Sequence, residues 1–541
     1  MAMDPHLHDD HQLKPTLSPE SSTSTQIQIL IMSQAGKPIF TTSGDAESLV
    51  KTCGLIQAIR TSVMDLKSSL GDIQILKTAQ KHIVFMSVGS LTLVAISNSQ
   101  ASIAHLKLQL EYMYSHIIFT MTSQVQAVFA QSPGYDLDIS NSAFQHVFND
   151  VSGFSPENYC LTGGTQIVGP FSAKLRETCS NVLHTVGRTT PNIVFAFLLV
   201  GNKLLTIVQP SYRPHQFKSS DLQLIIQFVH HQPGLLTSEL WFPVCLPRFN
   251  ASGFLYAYTN CFDKKEKLSL VLISQINTTQ QFEEFRLASI KIRRELDIPE
   301  EQGSILRITA RTESQGTSHF DVEWKRSTND SHSQSSGVAL MPEGKARQPP
   351  PVKESGFILK EIQRTLDEKS FLSRMEEYCS FADAIHFVFR LDVPIKSDGI
   401  LTQCICAPLS DVPFVDDKSK QRVWNMYQRL CLRMRIGTCT TEATMDALDN
   451  LEPLDHENIA GIGALCCPAM RLLENPASVH GISYILDGLD LFLAMNGRDF
   501  ELYLLLSSTV PVKKAALSGA KLARRLFADE QKLFLMTPLV W

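Results

Sequence analysis

The sequence predicts an α+β fold assembled from a repeated unit, in which a five-stranded antiparallel sheet is flanked by helices. Three observations predict it. The order β-β-α-β-β-β-α can be read along residues 27–130. The same order recurs along residues 192–296. The strand runs are apolar at consecutive positions, as in Ile83-Val84-Phe85 and Val271-Leu272-Ile273, so both faces of each sheet require cover.

In the first copy, residues 27–32 form a short apolar run, Gly36-Lys37-Pro38 turns the chain, and residues 39–43 read as a second strand. Asp45 is placed to cap a helix reaching residue 67, with Leu49, Cys53, Ile56, Ile59, Val63 and Leu66 on one face. Gly71 ends it. Strands at 73–79, 83–88 and 91–97 follow, then one long helix over 102–130. That helix carries apolar residues off its main stripe, Leu108, Tyr112, Ile118 and Phe119. They imply cover from the connection over 131–190 or from a partner subunit.

The second copy starts with strands at 192–200 and 203–209 around Gly201-Asn202. A short helix from Asp221, strands at 240–246, 254–261 and 268–274, and a helix through Phe282, Phe285, Ile292 and Leu296 complete it. The last third reads as a degraded third copy: a helix at 354–377, strands at 385–392 and 400–406, and a helix at 418–436. Apolar runs at 482–494 and 501–507 precede a final helix at 512–528. The expected organisation is a polar tail (1–25), a first unit with its helical connection (26–190), a second unit (191–307), a disordered linker (308–353) and a third unit (354–541).

The 541 residues are 44% hydrophobic and 19% charged, with a net charge of −5. No global basic field points to nucleic acid. The twelve cysteines include no CxxC pair, and neither Cys404/Cys406 nor Cys466-Cys467 has partners at zinc spacing. The tail cluster His6, His8, Asp9, Asp10 and His11 has nothing to fix a metal geometry. No metal or cofactor is expected. The polar N-terminus predicts no signal peptide, and no window provides the roughly 20 apolar residues of a membrane span. With Ala2 at the second position and no prenylation box in the last residues, no lipidation is expected.

Motifs for hydrolysis, phosphate binding, zinc proteolysis and dinucleotide binding are missing. His230-His231 reads as a pair at a helix C-terminus, offsetting the dipole. The sequence therefore predicts a protein without covalent chemistry. Two basic clusters stand out, Lys291, Arg293 and Arg294, and Lys513, Lys514, Lys521, Arg524 and Arg525. Each is either a solvated helix face or a surface for anionic lipid.

Several blocks resemble one family. Ser33-Gln34-Ala35-Gly36-Lys37-Pro38-Ile39-Phe40, the helix opening Asp221-Leu222-Gln223-Leu224, and Phe242 to Asn250 followed by Gly253-Phe254-Leu255-Tyr256-Ala257-Tyr258 are similar to segments of the Mon-one/SAND family of vacuolar and endosomal fusion proteins. His386-Phe387-Val388-Phe389-Arg390 and Phe500-Glu501-Leu502-Tyr503 are looser matches in the same order. The resemblance implies three longin domains and an obligate Ccz-one-type longin partner. It also implies a heterodimeric guanine nucleotide exchange factor for the late-endosomal Rab GTPase. An early-endosomal Rab and a phosphoinositide-containing membrane would recruit it, and a third regulatory subunit would join it in animals. The alternative is a Rab effector or tether without exchange activity. On the first unit, Gly36, Lys37, Pro38 and Ile39, with Gln57 and Arg60 as exposed helix positions, are the expected Rab and partner contacts. For Arg248, Phe249 and Asn250 two readings stand, a structural block of the second unit or a docking surface for the recruiting Rab.

Overall fold

The computed structural model describes residues 27–299, 356–438 and 481–540, apart from short stretches of which 136–162 and 211–217 are the longest. The tail, the segment 308–353, Asp45 and Gly71 lie outside the described residues.

The first unit runs β1 (Gln28–Ser33), β2 (Pro38–Thr41), α1 (Ala46–Leu66), β3 (Ile75–Lys77), β4 (Lys81–Val88), β5 (Leu91–Asn98), α2 (Ile103–Met121) and α3 (Gln124–Gln131). Its sheet has the order β2-β1-β5-β4-β3, antiparallel throughout. Alternate residues of β1 serve opposite layers because strand side chains alternate. Leu30 and Met32 meet Cys53 and Ile56 of α1. Ile29 and Ile31 join the core with Leu106, Leu110, Met113 and Ile117 of α2. The long helix expected over 102–130 is broken. Thr122 sits at φ +60°, and the Ser123 N–H leaves the helix to donate to the Ala251 carbonyl at 2.7 Å.

The second unit adds α4 (Ala173–Thr189), β7 (Ile193–Val200), β8 (Lys203–Gln209), α5 (Ser219–His230), β9 (Leu240–Leu246), α6 (Pro247–Asn250), β10 (Ala251–Asp263), β11 (Leu268–Ser274) and α7 (Thr279–Glu295); β6 (Thr165–Gln166) precedes it. Its five antiparallel strands repeat the first order, as β8-β7-β11-β10-β9. Helix α4 falls in the stretch expected to trail the first unit, but its Cys179, Leu183 and Val186 pack on the second sheet.

After α8 (Phe357–Leu366), the third unit comprises α9 (Glu368–Phe381), β12 (His386–Ile395), β13 (Gly399–Cys406), α10 (Asp417–Thr438), β14 (Gly481–Asp487), β15 (Asp490–Asn496), β16 (Phe500–Ser507), α11 (Val512–Ala528) and α12 (Glu530–Leu533), before β17 (Leu539–Val540). The strand order is again the same, β13-β12-β16-β15-β14. The run expected at 482–494 is a hairpin, turned at Gly488 (φ +61°). Helix α8 belongs with the second unit, since Ile358 and Ile362 sit in the core with Leu296 and Ile298. Gly356 N–H also donates to the Asp297 carboxylate at 2.9 Å. The chain thus leaves and re-enters the described structure at one place, on either side of residues 300–355.

The sheets of the second and third units each gain a short parallel strand beyond the five expected. β6 lies on β13, and the next residue, Ile167, bridges to Leu204 of β8. One segment therefore stitches the two sheets edge to edge. β17 pairs with β8. Two buried side chains fix the crossing. The Gln403 amide exchanges hydrogen bonds with the Leu535 backbone (2.9 and 2.8 Å), and the Arg176 guanidinium donates to the carbonyls of Val168 and Phe534. Buried polar groups demand such partners because each one left unpaired costs about 1–3 kcal/mol.

The back of α2 is covered within the chain, not by another subunit. Ile118 and Phe119 are buried, and Phe119, Phe228 and Phe242 form an aromatic chain with centroids 5.5 and 4.9 Å apart. His105 of α2 reaches Gln428 of α10 at 3.2 Å. Helix α2 is shared by the first unit and the stitched pair; of the four off-stripe residues only Leu108 is exposed.

Candidate functional site

The first unit presents its β1–β2 turn beside helix α1. The Gly36 and Ser33 backbones close it: Gly36 N–H donates to the Ser33 carbonyl and Ser33 N–H to the Lys37 carbonyl, both at 2.9 Å. Gly36 adopts φ +82°, and a Cβ there would come within 3.2 Å of Gln57 Cγ. Glycine satisfies both constraints. Gln57 caps the turn by donating to the Gln34 carbonyl at 3.2 Å. The turn is therefore a fixed surface feature, with Gln34 and Ala35 exposed and Lys37 and Pro38 half-buried.

Two residues expected on this surface lie inside. Ile39 is 5% exposed, in the core shared with α2, and Arg60 is 7% exposed. The Arg60 guanidinium donates to Thr92 Oγ1 (2.8 Å) and Ser87 Oγ (3.2 Å), anchoring α1 to β4 and β5. Period counting put Arg60 on the polar side of α1; in fact its guanidinium turns to the Ser87 and Thr92 hydroxyls of the β4–β5 hairpin. What α1 does present outward was missed: Val50, Gly54, Leu55 and Ala58 are exposed, Leu55 at 63%. A helical step of four brings Val50, Gly54 and Ala58 into line. A row of small and bare apolar residues on a helix suits close packing by another helix.

The block Arg248, Phe249 and Asn250 forms α6. The Asp221 carboxylate, 1% exposed, accepts the N–H groups of Arg248 (3.2 and 3.0 Å) and Phe249 (3.0 Å). Burial pushes the Asp221 carboxyl up to about 6, against the opposing pull of those N–H groups. Phe249 packs on Phe195 at 5.7 Å. Asn250 Oδ1 accepts from the Ser252 backbone and hydroxyl (3.0 and 2.9 Å). Two blocks far apart in sequence, the α5 start and the Pro247–Asn250 turn, are one structural unit. The Arg248 and Asn250 side chains remain exposed.

The looser blocks also fit together. Arg390 of β12 pairs with Glu501 of β16 (2.6 Å) and Asp392 (3.1 Å), and Tyr503 donates to Glu501 (2.8 Å). His386 bridges the Ala407 carbonyl (2.6 Å) and the Tyr427 hydroxyl (3.0 Å), and burial lowers it to about 4.

The basic clusters divide. Arg293 is structural, donating to the Phe262 carbonyl with its guanidinium 5.8 Å from the Phe262 ring, whereas Lys291 and Arg294 are exposed. All five α11 cations are exposed. Lys514 lies 3.8 Å from Asp383, and Arg525 lies 3.7 Å from Glu377 and 3.3 Å from Asp529. Among the described residues no helix is long and apolar enough to cross a membrane, and no cluster of ligating side chains could hold a metal.

A repeated 2-1-5-4-3 antiparallel sheet with helices on both faces defines a protein of the longin class. Residues 27–147 match the first longin domain of FUZ, MON1 and HPS1, and residues 191–291 match the second. The chain is 30% identical to human vacuolar fusion protein MON1 homolog B over 280 residues, 48% of this chain and 50% of that one. It is 28% identical to protein SAND of Takifugu rubripes over 260 residues, 48% of each. It is 23% identical to chicken MON1 homolog A over 513 residues, 94% of this chain and 72% of the relative. The chain spans about half the length of the first two relatives. These matches support the Mon1/SAND family.

Proposed function

We propose that the chain is one subunit of a heterodimeric guanine nucleotide exchange factor that loads GTP onto the late-endosomal Rab GTPase, for endosome maturation and fusion with vacuoles or lysosomes. The observation that carries this is the outward face of the first longin domain. There the fixed turn at Gly36, held by Gln57, adjoins an α1 row of small and bare apolar residues. Relatives named vacuolar fusion proteins support the trafficking role. The third unit is a third longin domain in this reading, supported by the strand order it shares with the other two.

The reaction needs no nucleophile. A Rab holds GDP and Mg²⁺ through its phosphate loop and switch segments. A surface that binds the open switches better than the closed ones shifts the GTPase toward the open state. By linkage, nucleotide and exchange factor then weaken each other's binding by the same factor. What this requires of the chain is rigidity, so that binding free energy opens the switches rather than ordering the exchange factor. In this reading the α1 row packs on the Ccz-one-type longin subunit, and the turn with Lys37 and Pro38 faces the Rab. An early-endosomal Rab, an anionic phosphoinositide surface and a third regulatory subunit complete the assembly peripherally on endosomal membranes.

The test is release of fluorescent GDP from the Rab by the chain with its partner, alongside a pull-down across nucleotide states. An exchange factor prefers the nucleotide-free Rab. Preference for the GTP form without faster release would instead identify an effector.

A further inference from the structure

A cavity of about 660 Å³ opens where the second and third units cross, and the exchange reading does not use it. Its walls are the start of α4, one side of α8, the end of α9 and the junction of α11 with α12. That volume falls within the range of small-molecule sites, roughly 300–1,000 Å³. The walls are fixed to one another. Phe171 N–H donates to the Lys532 carbonyl at 2.8 Å, and Arg176 ties α4 to the Phe534 carbonyl. The Tyr378 hydroxyl of α9 donates to the Asp529 carboxylate at 3.0 Å. A cavity held by such contacts needs little ordering when a ligand enters.

Most charges in the lining are matched. Asp529 meets Lys532 at 2.9 Å and Arg525 at 3.3 Å. Burial would raise its carboxyl, but the bonds from Lys532 and Tyr378 hold it below the usual carboxylate range. Glu377 lies 3.7 Å from Arg525, and Glu361 lies 3.8 Å from Arg364. Two charges of opposite sign are left over. Lys174 has no ion-pair partner among the described residues, and the neighbouring Ser172 hydroxyl makes no capping bond to α4. Glu530 has no cation or side-chain donor among the described residues, and burial pushes its carboxyl up with nothing opposing it. Both line the cavity, and the Phe171–Lys532 hydrogen bond brings their segments together, yet they do not pair with each other. Phe527 and Ala528 add apolar surface to the same lining.

We infer that this cavity binds a small amino-carboxylate zwitterion, with its ammonium on Glu530 and its carboxylate on Lys174 and the Ser172 hydroxyl. A simple anion would leave Glu530 unmatched and set a second negative charge near it. A simple cation would do the same to Lys174. A ligand with one charge of each sign satisfies both, and charge-assisted hydrogen bonds fix its orientation. Its side chain then meets Phe527 and Ala528, so a large aliphatic amino acid fits better than glycine. Lys174 and Ser172 belong to the second unit and Glu530 to the third. The ligand therefore bridges the two units and stabilises their crossing, because it binds only the folded arrangement.

The experiment is calorimetric titration and thermal melting of the full chain with leucine, glycine, leucinamide, N-acetylleucine and the dipeptide leucyl-leucine. Leucine should bind and raise the melting temperature, and glycine should do so less. Leucinamide lacks the carboxylate and N-acetylleucine lacks the ammonium, so each should bind about tenfold more weakly than leucine. The dipeptide separates two sources of the same chemistry: tighter binding than leucine identifies the ends of a peptide, and weaker binding identifies a free amino acid. Glu530→Gln and Lys174→Met should each weaken leucine about tenfold, while both variants without ligand melt as the wild type does. No heat and no melting shift with any of these ligands would overturn the proposal. So would leucinamide binding as well as leucine, or wild-type affinity in both variants. The titration is read without Rab or partner, so the exchange reading stands or falls separately.

Discussion

Arg60 and Gln57 lie one helical turn apart on α1 and do opposite jobs. Arg60 is buried on the hydroxyls of Thr92 and Ser87, and Gln57 holds the Gly36 turn from the surface. Arg60→Ala should therefore destabilise the first unit by about 1–3 kcal/mol, because the buried Thr92 hydroxyl loses a charged donor and the largely buried Arg60 stem loses its packing. Chemical denaturation measures this, and an unchanged midpoint would place Arg60 on the surface. A second residue-scale expectation concerns His386, whose folded value of about 4 lies below the ordinary 6.5. The unfolded chain binds the proton more readily, so the contribution is present above pH 6.5 and is lost as pH falls toward 4. The full loss is about 3 kcal/mol, at 1.36 kcal/mol per pH unit. The buried His105, also at about 4, acts in the same direction. Asp221, raised to about 6, acts oppositely between pH 4 and 6. Thermal melts from pH 7 to pH 5 should show a falling midpoint, and His386→Gln should flatten that slope.

At the scale of elements, the strands and their order were legible because apolar runs and turn residues punctuate them. The Gly36 turn is an example: its glycine answers a positive φ and a close approach that only the backbone reveals in detail. The break at Thr122 was not legible, since a hydrogen bond to Ala251, more than a hundred residues on, captures the Ser123 N–H. The β14–β15 hairpin was legible in principle, because Asp487-Gly488 between apolar runs is a turn signal. Its apolar flanks hid it. The outward row on α1 escaped because period counting identifies the buried stripe and says little about bare apolar residues opposite it. Leu55→Arg should leave stability within about 0.5 kcal/mol, as for other exposed positions, while abolishing co-purification with the proposed Ccz-one-type subunit. Retained co-purification would remove α1 from the pairing surface.

At the scale of the molecule, the three units are not beads on a string. The segment around Ile167 joins two sheets, the C-terminal residues return to β8, and α2 is shared between the first unit and the rest. None of this was legible, because non-local pairing leaves no periodicity in the sequence. It also changes the meaning of residues 300–355. Residues 300–355 are bounded by Asp297 and Gly356, which meet within the second unit. Replacing them with a short Gly-Ser linker should leave the melting temperature unchanged or slightly raised, since loop closure costs only ~0.6 kcal/mol per doubling of length. A cooperative loss of stability would show that the segment contributes to the core.

A molecule braced in this way suits an exchange factor, which must hold its own shape while deforming a GTPase. The decisive measurement is the rate of fluorescent GDP release from the late-endosomal Rab with the purified chain and the proposed Ccz-one-type subunit, for wild type and Leu55→Arg. Release well above the intrinsic rate with wild type, falling to the intrinsic rate with Leu55→Arg, is the expected result. Release at the intrinsic rate with wild type would contradict the assignment.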